Sequence, residues 1–277
     1  MGRMDGKVVF ITGAARGIGR RTAVLLGQEG ADIIGMDIAG PIRSAQAPPS
    51  TPEDLAETVT EVEAQGRRMV TYQCDVRDEE PLAEGLARAV QELGRLDAVV
   101  CNAGIGGPTV PIEQYPADAF RDVVDNNLTS LFLTAKPAIP HLRASGDGGS
   151  IVLISSALGL RGMPNTGAYV AAKHGVVGLM KTLALELAPD RIRVNSVHPT
   201  NVDTPLIQNE NTYRLFRPDL DHPTRDDVVE PFQGLNLLPI PWVEPEDVAQ
   251  AVLYLVADSG RYLTGGTHRV DAGWNTK

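Results

Sequence analysis

The stretch "TGAARGIG" (residues 12–19) follows the apolar run "KVVFIT" (residues 7–12) and precedes a segment with helical periodicity. Gly13, Gly17 and Gly19 allow the backbone to turn tightly and to approach a pyrophosphate, while the start of a helix offers unpaired N–H groups. A glycine-rich string alone is a weak indication, but a position between a buried strand and a helix strengthens it. We therefore predict that the chain begins with a nucleotide-binding βαβ unit.

Short apolar runs alternate with helical patterns along the rest of the chain. The runs "DIIGMD" (32–37), "LDAVVCNAG" (96–104), "GSIVLISS" (149–156) and "IRVNSVHP" (192–199) have the continuous apolar character of buried strands. Because each strand–helix–strand passage implies a right-handed crossover onto a parallel sheet, we predict a single-domain, doubly wound α/β fold of the Rossmann type over residues 1–277.

Two segments interrupt this alternation. Residues 39–54, "AGPIRSAQAPPSTPED", are polar and rich in proline, which predicts an inserted surface loop. Residues 204–242 contain prolines and spaced apolar side chains, which predicts a lid that excludes water from a substrate site. The apolar lid residues are Leu206, Ile207, Tyr213, Leu215, Phe216, Phe232 and Trp242, and the expected opposite wall is Leu158, Leu160 and Met163. They favour a hydrophobic alcohol or ketone as substrate, although core or dimer packing explains them equally well.

Composition argues against several classes of partner. A formal charge of −10 disfavours nucleic acid and anionic membrane surfaces. The two cysteines, Cys74 and Cys101, have no metal-type or redox-type spacing, so we predict no metal site and a reducing, cytoplasmic location. No stretch has the pattern of a signal peptide or of a membrane span.

Asp37 ends the second predicted strand, where a carboxylate can accept ribose hydroxyls and would repel a 2′-phosphate. Arg16, within the glycine turn, argues in the other direction because a guanidinium can pair with a phosphate. The next residue after Asp37 is Ile38 and not a cation. These residues favour NAD over NADP, and an exposed strand-end aspartate without a ligand is the alternative.

Tyr169 and Lys173 lie four positions apart in "GAYVAAKHG" (167–175), which places them on one face of a helix. A phenol has a pKa of about 10 in water, and a neighbouring cation lowers it towards the range of proton transfer. We therefore expect an acid/base pair, and the alternative is a core aromatic beside a lysine with an exposed ammonium group.

These motifs, taken in order, resemble the short-chain dehydrogenase/reductase family over essentially the whole chain. The shared motifs are "TGAARGIG", "CDV" (74–76), "NAG" (102–104), "NNLTS" (126–130), "LISS" (153–156) and Tyr169 with Lys173. The resemblance implies that Tyr169 is the acid/base, that Lys173 lowers its pKa and holds the nicotinamide ribose, and that Ser156 binds the reacting oxygen. It also implies a proton relay at Asn127. The adjacent Ser155 and Asn126 are the alternatives that a one-residue slip would select.

The resemblance further implies a set of residues that bind NAD. They are Gly13, Arg16, Gly17, Ile18, Gly19, Asp37, Ile38, Asp75, Val76, Asn102, Ala103, Gly104, Tyr169, Lys173, Pro199, Val202 and Thr204. Thr200 stands where the family usually has glycine, and we expect it to change the loop that grips the nicotinamide. His198 and His222 have no partner that the sequence reveals, so we predict neither a catalytic nor a metal-binding role for them.

The long segment 39–54, together with "VHPTNVDTP" (197–205), resembles the actinobacterial mycofactocin-associated, carveol dehydrogenase-like subfamily. That resemblance implies a retained NAD, a separate small redox carrier and a homotetramer. The sequence thus predicts an NAD-dependent oxidoreductase that interconverts a hydrophobic secondary alcohol and its ketone. The competing hypotheses are a non-catalytic nucleotide-binding regulator, an NADP-dependent carbonyl reductase and an epimerase or dehydratase, although the glycine spacing is unusual for the last class.

Overall fold

The computed structural model describes residues 2–277, and its centre is a seven-stranded, wholly parallel sheet in the order β3-β2-β1-β4-β5-β6-β7. The strands are β1 (Val8–Thr12), β2 (Asp32–Asp37), β3 (Met69–Gln73), β4 (Ala98–Cys101), β5 (Gly149–Ile154), β6 (Ile192–Pro199) and β7 (Thr267–Val270). The predicted doubly wound fold is confirmed. Continuous apolar runs marked the inner strands correctly, because a parallel sheet covered on both faces exposes neither side of its strands to water.

Helices cover both faces of the sheet. They are α1 (Gly17–Gln28), α2 (Pro52–Glu63), α3 (Glu79–Leu93), α4 (Ala117–Val124), α5 (Ser130–Ala144), α6 (Gly167–Leu187), α7 (Glu210–Phe216), α8 (Val229–Leu235) and α9 (Pro245–Val256). Among residues 2–277, no helix has both the length and the apolar character needed to cross a bilayer.

Successive residues of a strand face the two different helical layers, as the two-residue period of a strand requires. Val9 of β1 packs in the layer that contains Leu26 of α1 and Leu253 of α9. Its neighbour Phe10 packs in the opposite layer with Leu86 of α3 and Leu142 of α5. The sheet is therefore fixed from both sides, and its strand ends are held rigidly.

The strand order reverses at β1, which pairs with β2 on one side and with β4 on the other. The crossovers on either side of this point run in opposite directions and leave a crevice at the carboxyl ends of the strands. The glycine turn after β1, the "NAG" motif after β4, Ser156 after β5 and the loop 199–204 after β6 all lie at this edge. The fold thus brings motifs that are far apart in sequence to one place.

The proline-rich insertion lies on the surface without helix or strand up to residue 50, and two of its serines are buried against the domain. Its last residues belong to α2, which begins at Pro52 with Thr51 as its N-cap. Residues 39–50 form a strap, in which Ser44 and Ser50 are buried. Ile42 and Ala45 of the strap pack in one cluster with Ile105 and Tyr115. The sequence did not reveal these contacts, in which half-buried apolar side chains pack on the domain while the N–H of Ser44 and the hydroxyl of Ser50 pair with Asp122 and Asp37.

The lid over residues 204–242 contains two short helices, α7 and α8, with an apolar cluster of its own. Tyr213, Val228 and Phe232 are buried together, and Phe216 and Trp242 pack against them. The rings of Phe216 and Phe232 meet edge to face with centroids 4.3 Å apart. The lid therefore packs as a folded unit and is not an extended loop.

Candidate active site

A cavity of about 510 Å³ runs along the carboxyl edge of the sheet, from the strap to the lid. Its wall includes every residue that the sequence predicted for cofactor binding except Gly19, and every predicted catalytic residue except Asn127. Among residues 2–277, no group of three or more His, Cys, Asp or Glu side chains is arranged to hold a metal ion.

The glycine turn is packed too tightly for side chains. A Cβ atom added to Gly19 would lie 1.9 Å from the carbonyl oxygen of Gly13, so Gly19 serves close packing of α1 on the turn rather than the cavity wall. Asn102 holds the same turn from β4, because its Nδ2 donates to the carbonyl oxygens of Thr12 at 3.0 Å and of Gly13 at 3.1 Å. The turn is a backbone-lined cradle, which suits a pyrophosphate.

Asp37 is buried, in contrast to an exposed strand-end aspartate. Its Oδ2 accepts the N–H of Ala15 at 3.0 Å, and its Oδ1 accepts the N–H of Ala39 at 2.9 Å and the hydroxyl of Ser50 at 2.7 Å. Arg16 donates to the carbonyl oxygens of residues 48 and 49 in the strap. The guanidinium therefore donates to the strap, and the carboxylate of Asp37 would repel a 2′-phosphate.

The strap is anchored by a chain of charged groups behind the adenosine end. Asp122 accepts the N–H of Ser44 at 3.1 Å and pairs with Arg77 at 2.5 Å. Arg77 also binds both oxygens of Asp75. Burial works to raise the pKa of Asp75, but the hydrogen bonds and charge of Arg77 outweigh it and hold the pKa below its usual value. Asp75 and its neighbour Val76 both line the cavity, and the carboxylate of Asp75 is paired with Arg77.

Ser156, Tyr169 and Lys173 converge at the other end of the cavity. Lys173 is buried, and its Nζ donates to the carbonyl oxygen of Ile154 at 2.9 Å and lies 5.6 Å from the ring centroid of Tyr169. The Oγ of Ser156 accepts the N–H of Leu158 at 3.1 Å. That contact occupies the hydroxyl oxygen as an acceptor and leaves its proton available to donate into the cavity.

The protonation equilibria differ from the sequence-based expectation that Lys173 lowers the pKa of Tyr169. Burial raises the pKa of Tyr169 above its ordinary value, and the hydrogen bond with Ser156 opposes that rise. Burial also lowers the pKa of Lys173 to about 8. The ammonium group of Lys173 lies over the ring of Tyr169 and donates to the carbonyl oxygen of Ile154. In the protein without NAD, burial therefore affects the pKa of Tyr169 more than the charge of Lys173 does.

The contacts of Ser155 differ from those of Ser156, and the contacts of Asn126 differ from those of Asn127. The hydroxyl of Ser155 donates to the main-chain oxygen of Lys173 at 2.9 Å and is thereby used inside the fold. Asn127 lies in a single π-helical turn, Asp125–Thr129, and its side-chain amide pairs with both main-chain groups of Ile105. Asn126 reaches the cavity wall but donates to the main-chain oxygen of Asp122. Asn127 therefore fixes the loop after β4 through its side chain.

Asn127 and Lys173 also approach each other at Gly104. A Cβ atom on Gly104 would lie 2.8 Å from Oδ1 of Asn127 and 3.7 Å from Nζ of Lys173. The "NAG" motif, the π-helical turn and the lysine are thus neighbours.

The loop after β6 closes the cavity near Gly17. Thr204 is close enough that a Cβ on Gly17 would lie 3.1 Å from its Cγ2, and Val202 forms a β-bridge with Val243. Thr200, which replaces the family's glycine, donates its hydroxyl to Oδ1 of Asn236 at 3.0 Å. The substitution therefore connects the loop to the end of α8 in the lid. Pro199, Ile18 and Ile38 complete this part of the wall.

His198 is a site residue that the sequence did not reveal. Its fully buried ring lies behind Ser156, with Nδ1 2.8 Å from the main-chain oxygen of Ser156 and Nε2 2.8 Å from Oγ of Ser196. A carbonyl only accepts, so Nδ1 carries the proton and Nε2 accepts from Ser196. The signal in the sequence was a histidine inside the buried strand β6, but its partner Ser156, after β5, became visible only in the fold.

The apolar end of the cavity differs in part from the predicted set. Leu158, Met163, Leu206, Ile207, Leu215 and Phe216 line it, together with Trp274, which the sequence analysis missed. Leu160 is outside the wall and partly exposed, while Tyr213, Phe232 and Trp242 pack within the lid. Spaced apolar residues in a lid do not reveal which side chains face inward.

Known proteins are similar to this chain over essentially its full length. A protein-family model described as "Enoyl-(Acyl carrier protein) reductase" matches residues 13–275. The chain is 50% identical over 277 residues to (-)-trans-carveol dehydrogenase of Rhodococcus erythropolis, with 100% of each chain covered. It is 34% identical over 275 residues to cyclohexanol dehydrogenase of an Acinetobacter species, covering 99% of this chain and 97% of the relative. The crystal structure of carveol dehydrogenase from Mycobacterium avium in complex with NAD superposes with a TM-score of 0.99 at 51% identity, with 100% of each chain covered.

The buried His198 predicts a defined loss of stability in acid. Burial lowers its pKa from 6.5 to about 4, so the unfolded chain binds a proton that the folded protein does not bind between these values. The free energy of unfolding should therefore fall as pH drops through that window, by up to about 3 kcal/mol from this group. His198→Gln should give a shallower dependence of urea unfolding on pH, whereas His174→Gln, at an exposed site on α6, should retain the wild-type slope. Equal slopes in all three proteins would contradict this role for His198.

Proposed function

Because the chain belongs to the short-chain dehydrogenase/reductase family, we propose that it is an NAD-dependent dehydrogenase that interconverts a hydrophobic secondary alcohol and its ketone. The observation that carries this proposal is one cavity with Ser156, Tyr169 and Lys173 at one end and the glycine turn with Asp37 at the other. A nucleotide-binding regulator would need only the second end. The three polar residues at the first end favour an enzyme.

The cofactor end fits NAD better than NADP. The backbone cradle of the glycine turn suits a pyrophosphate, and the enclosed carboxylate of Asp37 suits ribose hydroxyls. Arg16 is bound to strap carbonyl oxygens and is not available for a 2′-phosphate. When bound, NAD supplies the acceptor or donor of the hydride.

The residues at the catalytic end account for the proton. In alcohol oxidation, the phenolate of Tyr169 would accept the hydroxyl proton while the carbon that carries the hydroxyl loses its hydride, and in ketone reduction the phenol of Tyr169 would return a proton to the carbonyl oxygen. Ser156, whose hydroxyl is hydrogen-bonded to Tyr169 in the protein alone, would donate its proton to that oxygen and hold the reacting carbon in place. The buried ammonium of Lys173, 5.6 Å from the ring centroid, stabilises the phenolate that oxidation requires. We assign the proton relay to the neighbourhood of Asn127.

The apolar end of the cavity supports an alicyclic or terpenoid substrate. Leu158 and Met163 form one wall and Leu206, Leu215 and Phe216 of the lid form another, with no charged side chain between them. Such a surface gains free energy by covering hydrocarbon and rejects charged groups. Two relatives named for carveol and cyclohexanol fit the same class.

We further propose that the strap retains NAD between turnovers. Ser50 covers Asp37, the charged chain through Asp122 anchors the strap, and Asn211 of α7 donates from Nδ2 to the carbonyl oxygen of Gln46 at 3.0 Å. Strap and lid are therefore joined across the cavity mouth. A retained cofactor needs an external acceptor, so the proposal includes a small redox carrier as the second partner.

The assembly that we propose is a homotetramer. Phe132 on α5 and Leu185 on α6 are exposed by 44% and 80%, on the two long helices that follow β4 and β5. Large apolar side chains on neighbouring helices are typical of an interface between subunits. The two cysteines are buried and unpaired, which suits a cytoplasmic protein.

Replacement of Tyr169 tests the chemistry. Tyr169→Phe removes the proton donor and should lower kcat for carveol or cyclohexanol by about 10²–10⁴-fold, measured with an artificial electron acceptor. The amount of NAD bound should not change, because the ring is kept. Tyr254→Phe, at a half-exposed site on α9, is the matched control and should have wild-type activity. Undiminished turnover in Tyr169→Phe would contradict the mechanism.

Removal of the contact between strap and lid tests retention. Asn211→Ala removes one neutral hydrogen bond and should speed the exchange of bound NAD by about two- to tenfold, followed by mass spectrometry with isotope-labelled NAD. Gln233→Ala removes an exposed amide elsewhere in the lid and should leave exchange unchanged. Equal exchange rates in both variants and the wild type would argue against the strap as the retaining element.

A further inference from the structure

Trp274 lies in the cavity wall although it follows the last strand and belongs to none of the motifs. It is 6% exposed and buried in one cluster with Ala157 and Leu158. Met163 and Tyr169 pack against the same cluster. The indole and the ring of Tyr169 therefore belong to one apolar cluster, and both residues line the cavity.

The chain after β7 is shaped to present this ring. Ala272 and Gly273 have φ values of +48° and +82°, which turn the chain back towards the lid. A Cβ on Gly273 would lie 2.8 Å from Cβ of Leu237, so only glycine fits the turn. The carboxylate of Asp271 accepts the N–H groups of Gly273 at 3.0 Å and of Asn275 at 3.1 Å. The direction of Trp274 is thus set by a closed turn.

Arg161 holds Trp274 from the opposite side. Its Nη1 donates to the main-chain oxygen of Trp274 at 2.8 Å, and its guanidinium carbon lies 5.5 Å from the ring centroid. One side chain therefore fixes both the backbone and the indole. A cation over an aromatic face adds attraction to the packing and restricts the orientation of the ring.

We propose that Trp274 is a specificity-determining residue that contacts the hydrocarbon ring of the substrate, with Arg161 as its positioning residue. The inference rests on the proposed function, since it assumes that the substrate oxygen lies between Ser156 and Tyr169. We expect a carbon skeleton attached to that oxygen to meet the indole, because Trp274 lines the same cavity as Ser156 and Tyr169 and shares an apolar cluster with Tyr169. A rigid aromatic wall favours a rigid ring, which loses less conformational freedom against it than an open chain does.

Cyclohexanol and hexan-2-ol test this preference because they have the same number of carbons and one secondary hydroxyl each. Trp274→Leu should lower the ratio of kcat/KM for cyclohexanol over hexan-2-ol by about tenfold, mostly through KM. Trp274→Phe should restore most of the ratio, and Arg161→Lys should give an intermediate value. An equal loss for both alcohols, or an unchanged ratio, would overturn the inference.

A second arginine–aromatic pair, on the surface of the protein, provides the control. Arg261 lies 5.0 Å from the ring centroid of Tyr262, which is 87% exposed. Tyr262→Leu therefore removes an arginine–aromatic contact away from the cavity and should leave the ratio at its wild-type value. A shift as large as that of Trp274→Leu would overturn the assignment of specificity to the cavity wall.

A direct contact can be measured without turnover. The chain has two tryptophans, so Trp242→Phe leaves Trp274 as the sole indole. Cyclohexanone should change its emission saturably in the NAD-loaded protein. If calorimetry shows that cyclohexanone binds without a change in emission, the proposed contact with Trp274 is contradicted, while the proposed dehydrogenase activity is unaffected. If emission changes but no alcohol is oxidised, the contact stands and the proposed function fails. Absence of both binding and turnover would overturn both.

Discussion

The close packing of the glycine turn between β2 and β4 is the constraint on which the rest of the site depends. Asn102 holds the turn from β4 through the carbonyl oxygens of Thr12 and Gly13, and Asp37 holds it from β2 through the N–H of Ala15. Both supports stand at the ends of buried strands, so sheet and site are fixed together. Because Asp37 also binds Ser50, the same carboxylate positions the strap that covers it.

The catalytic end follows the same principle, since each buried polar group has a partner that orients it. Lys173 is held by the carbonyl oxygen of Ile154, and His198 holds the main chain of Ser156 from behind. An unpaired buried polar group costs free energy, so these contacts stabilise the fold and also keep the Ser156 hydroxyl directed at the cavity. The lid packs on a core of its own, and some of its apolar residues line the same cavity.

Local patterns were sufficient to predict the sheet, the glycine turn and the shared helix face of Tyr169 and Lys173, because these depend on periodicity and on residues close in sequence. The position of Ser156 beside them followed only from the resemblance to the family. Contacts between distant segments were not predictable. The burial of the strap depends on Asp122, and the position of Trp274 depends on a turn after β7. The pKa of Tyr169 was expected to fall, but it rises because spacing along a helix does not reveal how strongly a phenol is desolvated.

The identity of the nucleotide in the freshly purified protein tests the account most directly. The protein would be denatured after extensive dialysis, and the released nucleotide identified and quantified by mass spectrometry against the protein concentration. The strap, Asp37 and the engaged Arg16 predict about one NAD per chain and no NADP. Release of NADP would contradict the role of Asp37, and a protein that emerges empty and fails to bind added NAD would contradict the proposed dehydrogenase altogether.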